Sequence, residues 1–322
     1  MSRLRIGVVM DPIANISPAK DSTLAMLLEA RARDYEIYYF EQADLRIVDG
    51  RALGDGRRAD VRDDSQNWYD LGEFGDIELD DLDVILMRKD PPFDMEYIYT
   101  TYILERAELC GTVIVNRPAS LRDINEKAFT AWFPQCCPPT LITRSIERMR
   151  EFMREQGKIV VKPMHGMGGR SIFVVDANDN NANVVFETLT DYDTRFAIAQ
   201  RYIPEITDGD KRILLVDGVA APLSLARIPP AGDNRGNLVA GAQPDLRELT
   251  DRDRQICDEV GPVLKERGVI FAGLDVIGDY LTEINVTSPT GIREIHKLGD
   301  LNVAAQLMDT LEAKVRQKKA AA

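Results

Sequence analysis

The chain has little of what marks metal-thiolate, membrane or nucleic-acid proteins. Its 322 residues include two histidines, His165 and His296, and four cysteines, Cys110, Cys136, Cys137 and Cys257. Two histidines exclude a histidine-rich zinc site, and the cysteines show no metal-ligand spacing. The adjacent Cys136-Cys137 pair is compatible with a strained vicinal disulfide, but free thiols in a reducing cytosol fit this composition better. No apolar run is long enough to span a bilayer, and Leu4–Met10 lacks the long apolar stretch and small-residue cleavage site of a secretory signal. Excess positive charge is missing too. With 40 Lys+Arg against 53 Asp+Glu the net charge is −13, which argues against a general nucleic-acid binder and leaves only a local basic cleft open. The expectation is a cytoplasmic protein with neither nucleic-acid nor membrane partners.

What is present is a chain too long for one typical core, so two or three packed units are expected. The first part alternates strand and helix. Arg5–Met10 reads as a buried strand, Asp21–Arg33 as a helix with Asp21 or Ser22 as N-cap, and Glu36–Phe40 as a second strand. Residues 49–81 are polar and weakly periodic and read as loops and short strands. The strand Asp83–Met87, a helix within Met95–Leu109 and the strand Thr112–Asn116 follow. This alternation predicts an α/β unit with a parallel, doubly wound sheet. A helix is expected from about Ser120 to Phe133, stopped by Pro134, Pro138 and Pro139. From Thr140 the pattern becomes α+β: a helix Ser145–Gln156, strands Lys158–Lys162, Ser171–Val175 and Phe196–Tyr202, and a hairpin of Arg212–Val216 with Ala220–Arg227. The main boundary is placed near residue 120. Residues 228–248 show no periodicity and read as a long loop, and Thr250–Arg267 and Asn302–Lys318 as helices.

The segment Gly273–Thr290 carries the strongest chemical signal. Val269–Ile277 and Tyr280–Ile284 are apolar runs joined at Gly278-Asp279, a β-hairpin pattern. Folding it brings Asp275 opposite the Glu283 region, with Glu283 and Asn285 on one face. Two carboxylates and an amide oxygen on otherwise apolar strands suit Mg²⁺ held jointly with phosphates, whereas a solvated hairpin end is the bland alternative. After the strand Lys158–Lys162, Gly166, Gly168 and Gly169 permit positive φ and close approach of backbone N–H groups to an anion, with Lys162 at the strand end. There is no GK[ST] sequence, so this is not a Walker loop, and a flexible turn remains open from these residues alone. Arg212 and Arg227 interrupt apolar strands, Arg235 lies in the long loop, and guanidinium groups bind phosphates and carboxylates bidentately. Met10-Asp11-Pro12 and Met87–Pro92 follow parallel strands, where open α/β sheets bind ligands, although plain turns would also explain them.

Assembled, these residues give a chain that resembles the bacterial-type glutathione synthetases of the ATP-grasp superfamily. The resemblance rests on MDPIANI at 10–16, LAMLLEA at 24–30, DVILMRKDPPFD at 83–94 and YILERAE at 102–108. It continues through NEKAFTAWF at 125–133, KPMHGMGG at 162–169, DGDKR at 208–212, ARIP at 226–229, RGN at 235–237 and LTEINVTSPTGIRE at 281–294. It implies an N-terminal substrate domain over 1–120 and an ATP-grasp domain over 121–318. The two α+β lobes of that domain cover about 121–200 and 201–318, with a lid at 228–248. The implied reaction joins γ-glutamylcysteine and glycine at the expense of ATP, with Mg²⁺ or Mn²⁺, in a homo-oligomer that the family suggests is a tetramer. Carried over by position, Lys127 and Lys162 would contact ATP phosphates under the backbone of Gly166, Met167, Gly168 and Gly169. Gln200, Arg201, Tyr202 and Ile203 would edge the adenine, and Asp275, Glu283 and Asn285 would hold the metal. Arg212, Arg227, Arg235 and Asn237 would serve catalysis. Asp11, Arg88, Asp90, Ser288, Thr290 and Arg293 would line the peptide site. Two departures stand out: Ala242-Gln243-Pro244, where relatives carry a glycine-rich stretch with a basic residue, and His165, where they are often acidic. Another ATP-dependent carboxylate–amine ligase, or a non-catalytic ATP-binding module, would share part of this residue set.

Overall fold

The computed structural model describes residues 3–166, 168–230, 236 and 241–321, and these form three sheets. In the first, β1 (Arg5–Val9), β2 (Glu36–Phe40), β6 (Val84–Met87) and β7 (Val113–Val115) run parallel in the order β2-β1-β6-β7. Two helices belong to this alternation. In α1 (Ser22–Ala32) the Asp21 carboxylate accepts from Leu24 N at 2.6 Å. In α2 (Met95–Leu109) Asp94 plays the same part for Tyr97 N at 3.0 Å.

The sheet is not wholly parallel. β3 (Leu45–Val48), β4 (Arg51–Val61) and β5 (Tyr69–Glu78) extend it antiparallel from β2, and the last two are 11 and 10 residues long. Long strands therefore replace the expected loops and short strands of residues 49–81. The inward positions of β4 include Gly54 and Gly56, where an added Cβ would fall 2.8 and 2.5 Å from the Phe40 ring. Small inward residues leave space for that ring, and they also erase the hydrophobic alternation that would have announced a strand.

The second sheet is antiparallel, ordered β10-β9-β11-β8 from β8 (Thr140–Thr143), β9 (Lys158–Pro163), β10 (Phe173–Asp176) and β11 (Ala197–Arg201). The expected helix before it breaks early. α3 covers only Pro118–Asp123, and the Asn125 Oδ1 atom then accepts from Lys127 N at 3.0 Å and Ala128 N at 2.9 Å. That local side-chain turn competes with helix and leaves a 3₁₀ turn at Ala128–Trp132. α4 (Ile146–Gln156) and α5 (Ala182–Thr190), the latter not foreseen, close a separate core with Met149, Ile159, Val161, Phe186 and Leu189.

The third sheet, also antiparallel, is ordered β15-β14-β12-β16-β17, with a short β13 (Val219–Ala220) beside β12. Its strands are β12 (Asp210–Val216), β14 (Leu223–Ile228), β15 (Gln243–Glu248), β16 (Phe271–Ile277) and β17 (Tyr280–Asn285). β15 was expected to be loop. It pairs along β14, and its six residues are mostly exposed, so no alternation marked it. α6 (Asp251–Glu266) carries a capping box between Thr250 and Asp253. α7 (Ile292–Gly299) and α8 (Val303–Ala321) follow.

The first and third sheets share their cores. Ile85, Met87 and Ile114 cluster with Ile213, Leu274 and Ile284, and Ile6, Val8 and Leu24 with Leu214, Phe271 and Leu307. Buried Asn116 pins them together at the end of β7. Its Oδ1 accepts from Ile270 N and Phe271 N at 2.8 Å, and its Nδ2 donates to Phe271 O and Val286 O at 2.6 Å.

Candidate active site

A cleft opens between the second and third sheets. Val160 and Val174 line one side and Ile277 the other, while Gln200, Arg201, Tyr202 and Ile203 form its edge at the end of β11. Pleating explains the lining. Val161 and Ile159 point into the second sheet's own core, so Val160 and Lys162 face the cleft. The loop after β9 turns through positive φ at Gly166, Gly168 and Gly169, which also line the cleft. Met167 lies outside the described residues, as do Arg235 and Asn237 of the long loop.

Charge gathers at the inner end. Ile284 N donates to Glu126 O at 2.8 Å, which draws the Asn125-Glu126-Lys127 turn against β17. Lys127, almost fully buried, donates to Gly166 O at 3.1 Å, contacts Glu126, and lies 4.0 Å from Glu283 Oε1. Lys162 Nζ is 3.4 Å from the same Glu283 oxygen. Burial alone would lower Lys127, but Glu283 and Glu126 outweigh it and hold the ammonium above the usual lysine value. Burial would raise Glu283, and Lys127 and Lys162 reverse this, keeping it ionised below the usual range.

The arginines come from neighbouring strands. Asp210 of β12 pairs with Arg227 of β14, and Arg212 of β12 with Asp275 of β16. Arg212 grips Asp275 bidentately, Nε to Oδ1 at 2.5 Å and Nη2 to Oδ2 at 2.9 Å, and Arg227 Nη2 approaches Oδ2 at 3.0 Å. Against burial, these two guanidinium groups hold the Asp275 carboxyl far below its ordinary value. Arg227 Nη2 also meets Asp210 Oδ2 at 2.5 Å. Among the described residues the buried Asp210 Oδ1 has no hydrogen-bond partner, and burial, opposed by Arg227 but reinforced by Asp275 and Glu283, pushes this acid up to about 7.

Asp210 is the site residue that the sequence reading passed over. The signal was available, because Asp210 and Arg212 share a face of one strand within DGDKR. Asp275 and Glu283 are register partners, aided by a bulge after Asp275, and Asn285 pairs with Gly273. The donor set fits a hard divalent cation. Among the described residues Glu283 is paired only with lysines, at 3.4 and 4.0 Å, and Asn285 offers an amide oxygen, since its Nδ2 donates to Gly273 O at 3.4 Å. Asp275 is different, its oxygens being already engaged by arginine. No group of three His, Cys, Asp or Glu side chains able to hold a metal occurs among the described residues, so any cation here needs the amide or phosphate oxygens as well.

The six expected peptide-site residues lie outside this cleft. Five of them border the first–third sheet junction. Arg88, almost fully buried, donates Nε to Thr23 Oγ1 at 3.1 Å and Nη2 to Pro289 O at 3.0 Å, and Ser288 Oγ donates to Arg88 O at 3.3 Å. Arg212 Nη1 donates to Thr290 O at 3.3 Å, linking this group to the charged network. Asp11 Oδ2 accepts from Asp90 N at 3.0 Å, and its Oδ1 lies 2.9 Å from Lys89 Nζ. Arg293 stands apart, paired at 2.5 Å with the exposed Asp63. A second hollow, with walls from Pro91, Phe93, Asn125, His165 and Thr287, adjoins the phosphate-type loop through Gly166 and Gly168.

An antiparallel lobe facing a second one across a lysine-lined cleft defines an ATP-grasp ligase fold. The D-cycloserine synthetase DcsG superposes with a TM-score of 0.68 at 12% identity, covering 97% of this chain and 99% of that one. A D-alanine–D-alanine ligase from Bacillus anthracis, complexed with ATP, gives 0.60 at 15% identity over the whole of both chains. These likenesses speak for the fold alone. The family profile described as prokaryotic glutathione synthetase, N-terminal domain, matches residues 4–122, and that of the ATP-grasp domain matches 126–300. The chain belongs to the prokaryotic glutathione synthetase family. It is 55% identical over 311 residues to the glutathione synthetase of Coxiella burnetii, covering 97% of each chain. To that of Escherichia coli K12 it is 53% identical over 315 residues, covering 98% of this chain and all of the relative.

Proposed function

We infer that the chain ligates γ-glutamylcysteine to glycine, converting ATP to ADP and phosphate and releasing glutathione. The carrying observation is the convergence of Lys127, Lys162, Arg212 and Arg227 on Asp275 and Glu283 at the inner end of an apolar cleft, in a chain of this family. A carboxylate is a poor acyl donor at neutral pH. Transfer of the γ-phosphoryl group to the cysteinyl carboxylate makes an acyl phosphate, which the glycine amine attacks and from which phosphate leaves.

Each part of the site has a task in that sequence. The apolar walls take the adenine, with the 200–203 edge beside it. Lys127, Lys162 and the Gly166–Gly169 backbone cradle the phosphates. Glu283 and Asn285 are the residues that would hold Mg²⁺ or Mn²⁺, with Asp275 behind them, and the ion when bound neutralises phosphate charge. Arg212 and Arg227 are pre-organised by Asp275 and stabilise the charge that develops on the carbonyl and phosphoryl oxygens. Arg88, with Ser288, Thr290, Asp11 and Asp90 around it, receives the dipeptide. Arg293 stands at its margin. To Arg235 and Asn237, in the loop that precedes β15, we assign the closing of the site over the intermediate and the exclusion of water. We place the substrate domain at 1–120 and the ATP-grasp domain at 121–318, and the working form as a homo-oligomer. No helix among the described residues is long and apolar enough to cross a membrane.

The test is ADP release with γ-glutamylcysteine, glycine and Mg²⁺ supplied together and each omitted in turn, with product mass recorded. ADP formation that requires every component and yields glutathione is expected. Silence with this pair, but turnover with another acid and amine, would keep the ligase mechanism and discard the assignment.

A further inference from the structure

The side chains of Arg201 and Tyr280 meet from opposite sides of the cleft, and nothing in the ligase chemistry accounts for the contact. Arg201 Nη2 donates to Tyr280 Oη at 2.9 Å, and the guanidinium carbon lies 5.4 Å from the centre of the same ring. Both residues are half-buried. They belong to different lobes: Arg201 ends β11 in the second sheet, and Tyr280 opens β17 in the third. Register puts each beside a wall of the cleft. Arg201 pairs with Ile159, the neighbour of Val160, and Tyr280 pairs with Ile277. Val160 and Ile277 are the apolar residues that line the two sides. The turn that bears Tyr280 is itself seated on the crossing between the lobes, residues 202–209. Gly278, at φ +54°, lies so close to Glu205 of that crossing that an added Cβ would fall 3.2 Å from the Glu205 Cβ. Lys211 Nζ donates to Gly278 O at 3.1 Å, and Arg252 Nε to Asp279 O at 3.0 Å.

The inner end of the cleft is tied differently. There Lys162 Nζ stands 3.4 Å from Glu283 Oε1, an ion pair between the same two sheets. On the proposed function, both partners of that pair turn to phosphate and metal when nucleotide enters, so it cannot hold the walls at a fixed separation through turnover. The Arg201–Tyr280 contact meets no such competition, because it lies beside the base and contains no carboxylate for a metal. We propose that Arg201 and Tyr280 are positioning residues: their contact braces the two lobes at the base end of the cleft and presets the slot between Val160 and Ile277 for a planar purine. In this brace the Arg201–Tyr280 contact resists parting of the walls, and the packing of Glu205 on Gly278 fixes the turn from which Tyr280 projects. A slot of preset width spares the nucleotide part of the cost of ordering two lobes on binding. The proposal rests on the reading of the cleft as the ATP site and on no other part of the reaction.

The experiment is ADP titration calorimetry with Mg²⁺ on the parent chain, Tyr280→Phe, Arg201→Met and the double variant, with urea unfolding of each as a control. Tyr280→Phe removes one hydroxyl and keeps the ring. Each single variant should bind ADP about threefold or more weakly, the order expected for one hydrogen bond to a charged group. The double variant should bind no more than about twofold more weakly than Arg201→Met, because the two residues act through one contact. Turnover adds a split that a merely structural role would not produce. In Tyr280→Phe, KM for ATP should rise in step with the loss of ADP affinity, while kcat and KM for γ-glutamylcysteine stay within about twofold. Folded variants that bind ADP as the parent does, single losses that add in the double variant, or an equal rise of both KM values would each overturn the proposal. Should Arg201→Met fail to fold, Tyr280→Phe decides alone. A parent chain that binds no ADP overturns the nucleotide reading of the cleft and the brace with it. If the chain binds ADP but does not form glutathione, the ligase assignment fails and the ADP affinities still decide the brace.

Discussion

Replacing Asp210 with asparagine should make the protein more stable at neutral pH. Asp210 is buried beside Asp275 and Glu283, one of its oxygens has no partner among the described residues, and its pKa is pushed up to about 7. An aspartate in the unfolded chain titrates near 3.9. The folded value lies above the unfolded one, so between about pH 4 and pH 7 the native chain keeps a proton that the unfolded chain has released. The stability contributed by this group therefore falls as pH rises through that window. The cost is absent below about pH 4 and complete above about pH 7. About three pH units at 1.36 kcal/mol each set an upper limit of about 4 kcal/mol. Asparagine mimics the protonated acid, and Arg227 retains Asp275 at 3.0 Å. Asp275 and Glu283 are held low by their cationic neighbours, so their own stability is lost only as pH falls below the ordinary carboxyl range, outside this window.

The assay is urea unfolding of both proteins at pH 5 and pH 8 without nucleotide. Asp210→Asn should gain about 1–4 kcal/mol at pH 8 and much less at pH 5. A variant less stable than the parent at pH 8, or a difference that does not change with pH, would refute the reasoning.

Glu283→Gln should fold normally but ligate far more slowly, with a raised Mg²⁺ requirement, because the hard anionic donor at the hairpin is gone; near-normal turnover at limiting Mg²⁺ would contradict this role. Arg88→Met should raise KM for γ-glutamylcysteine tenfold or more while leaving ATP affinity within twofold, as steady-state and calorimetric titrations would show. Asn116→Ala leaves two buried N–H groups and two carbonyls short of a partner, and should cost about 3–5 kcal/mol in urea unfolding; a loss under about 1 kcal/mol would mean that the first and third sheets hold together without it.

Local signals read well and cross-strand relations did not. The bounds of α2, the Ser145 cap of α4 and the Thr250 cap of α6 follow from residues within one turn. The β16–β17 hairpin was legible because polar residues interrupt apolar strands. Even so, its register depends on a bulge that no turn dipeptide announces. With Ile277 opposite Tyr280, regular pairing would have set Asp275 against Thr282 rather than Glu283. The β4–β5 hairpin stayed hidden because its inward glycines yield space to Phe40, a residue remote in sequence.

The same distinction separates what was seen of the site from what was not. Asp275 could be read as an anion, but its partners are set by the strand order β14-β12-β16, which joins residues 48 and 63 positions away. That order makes Asp275 the shared counter-ion of Arg212 and Arg227. A buried carboxylate that already satisfies two guanidinium groups has little left for a cation, whereas Glu283, with lysines at 3.4 and 4.0 Å, does. On the reading proposed above, the two acids of the hairpin divide the work by neighbourhood rather than by type: Asp275 fixes the arginines, and Glu283 is the one left to meet phosphates and a metal. Exchanging their neighbours, not their side chains, is what would exchange their roles.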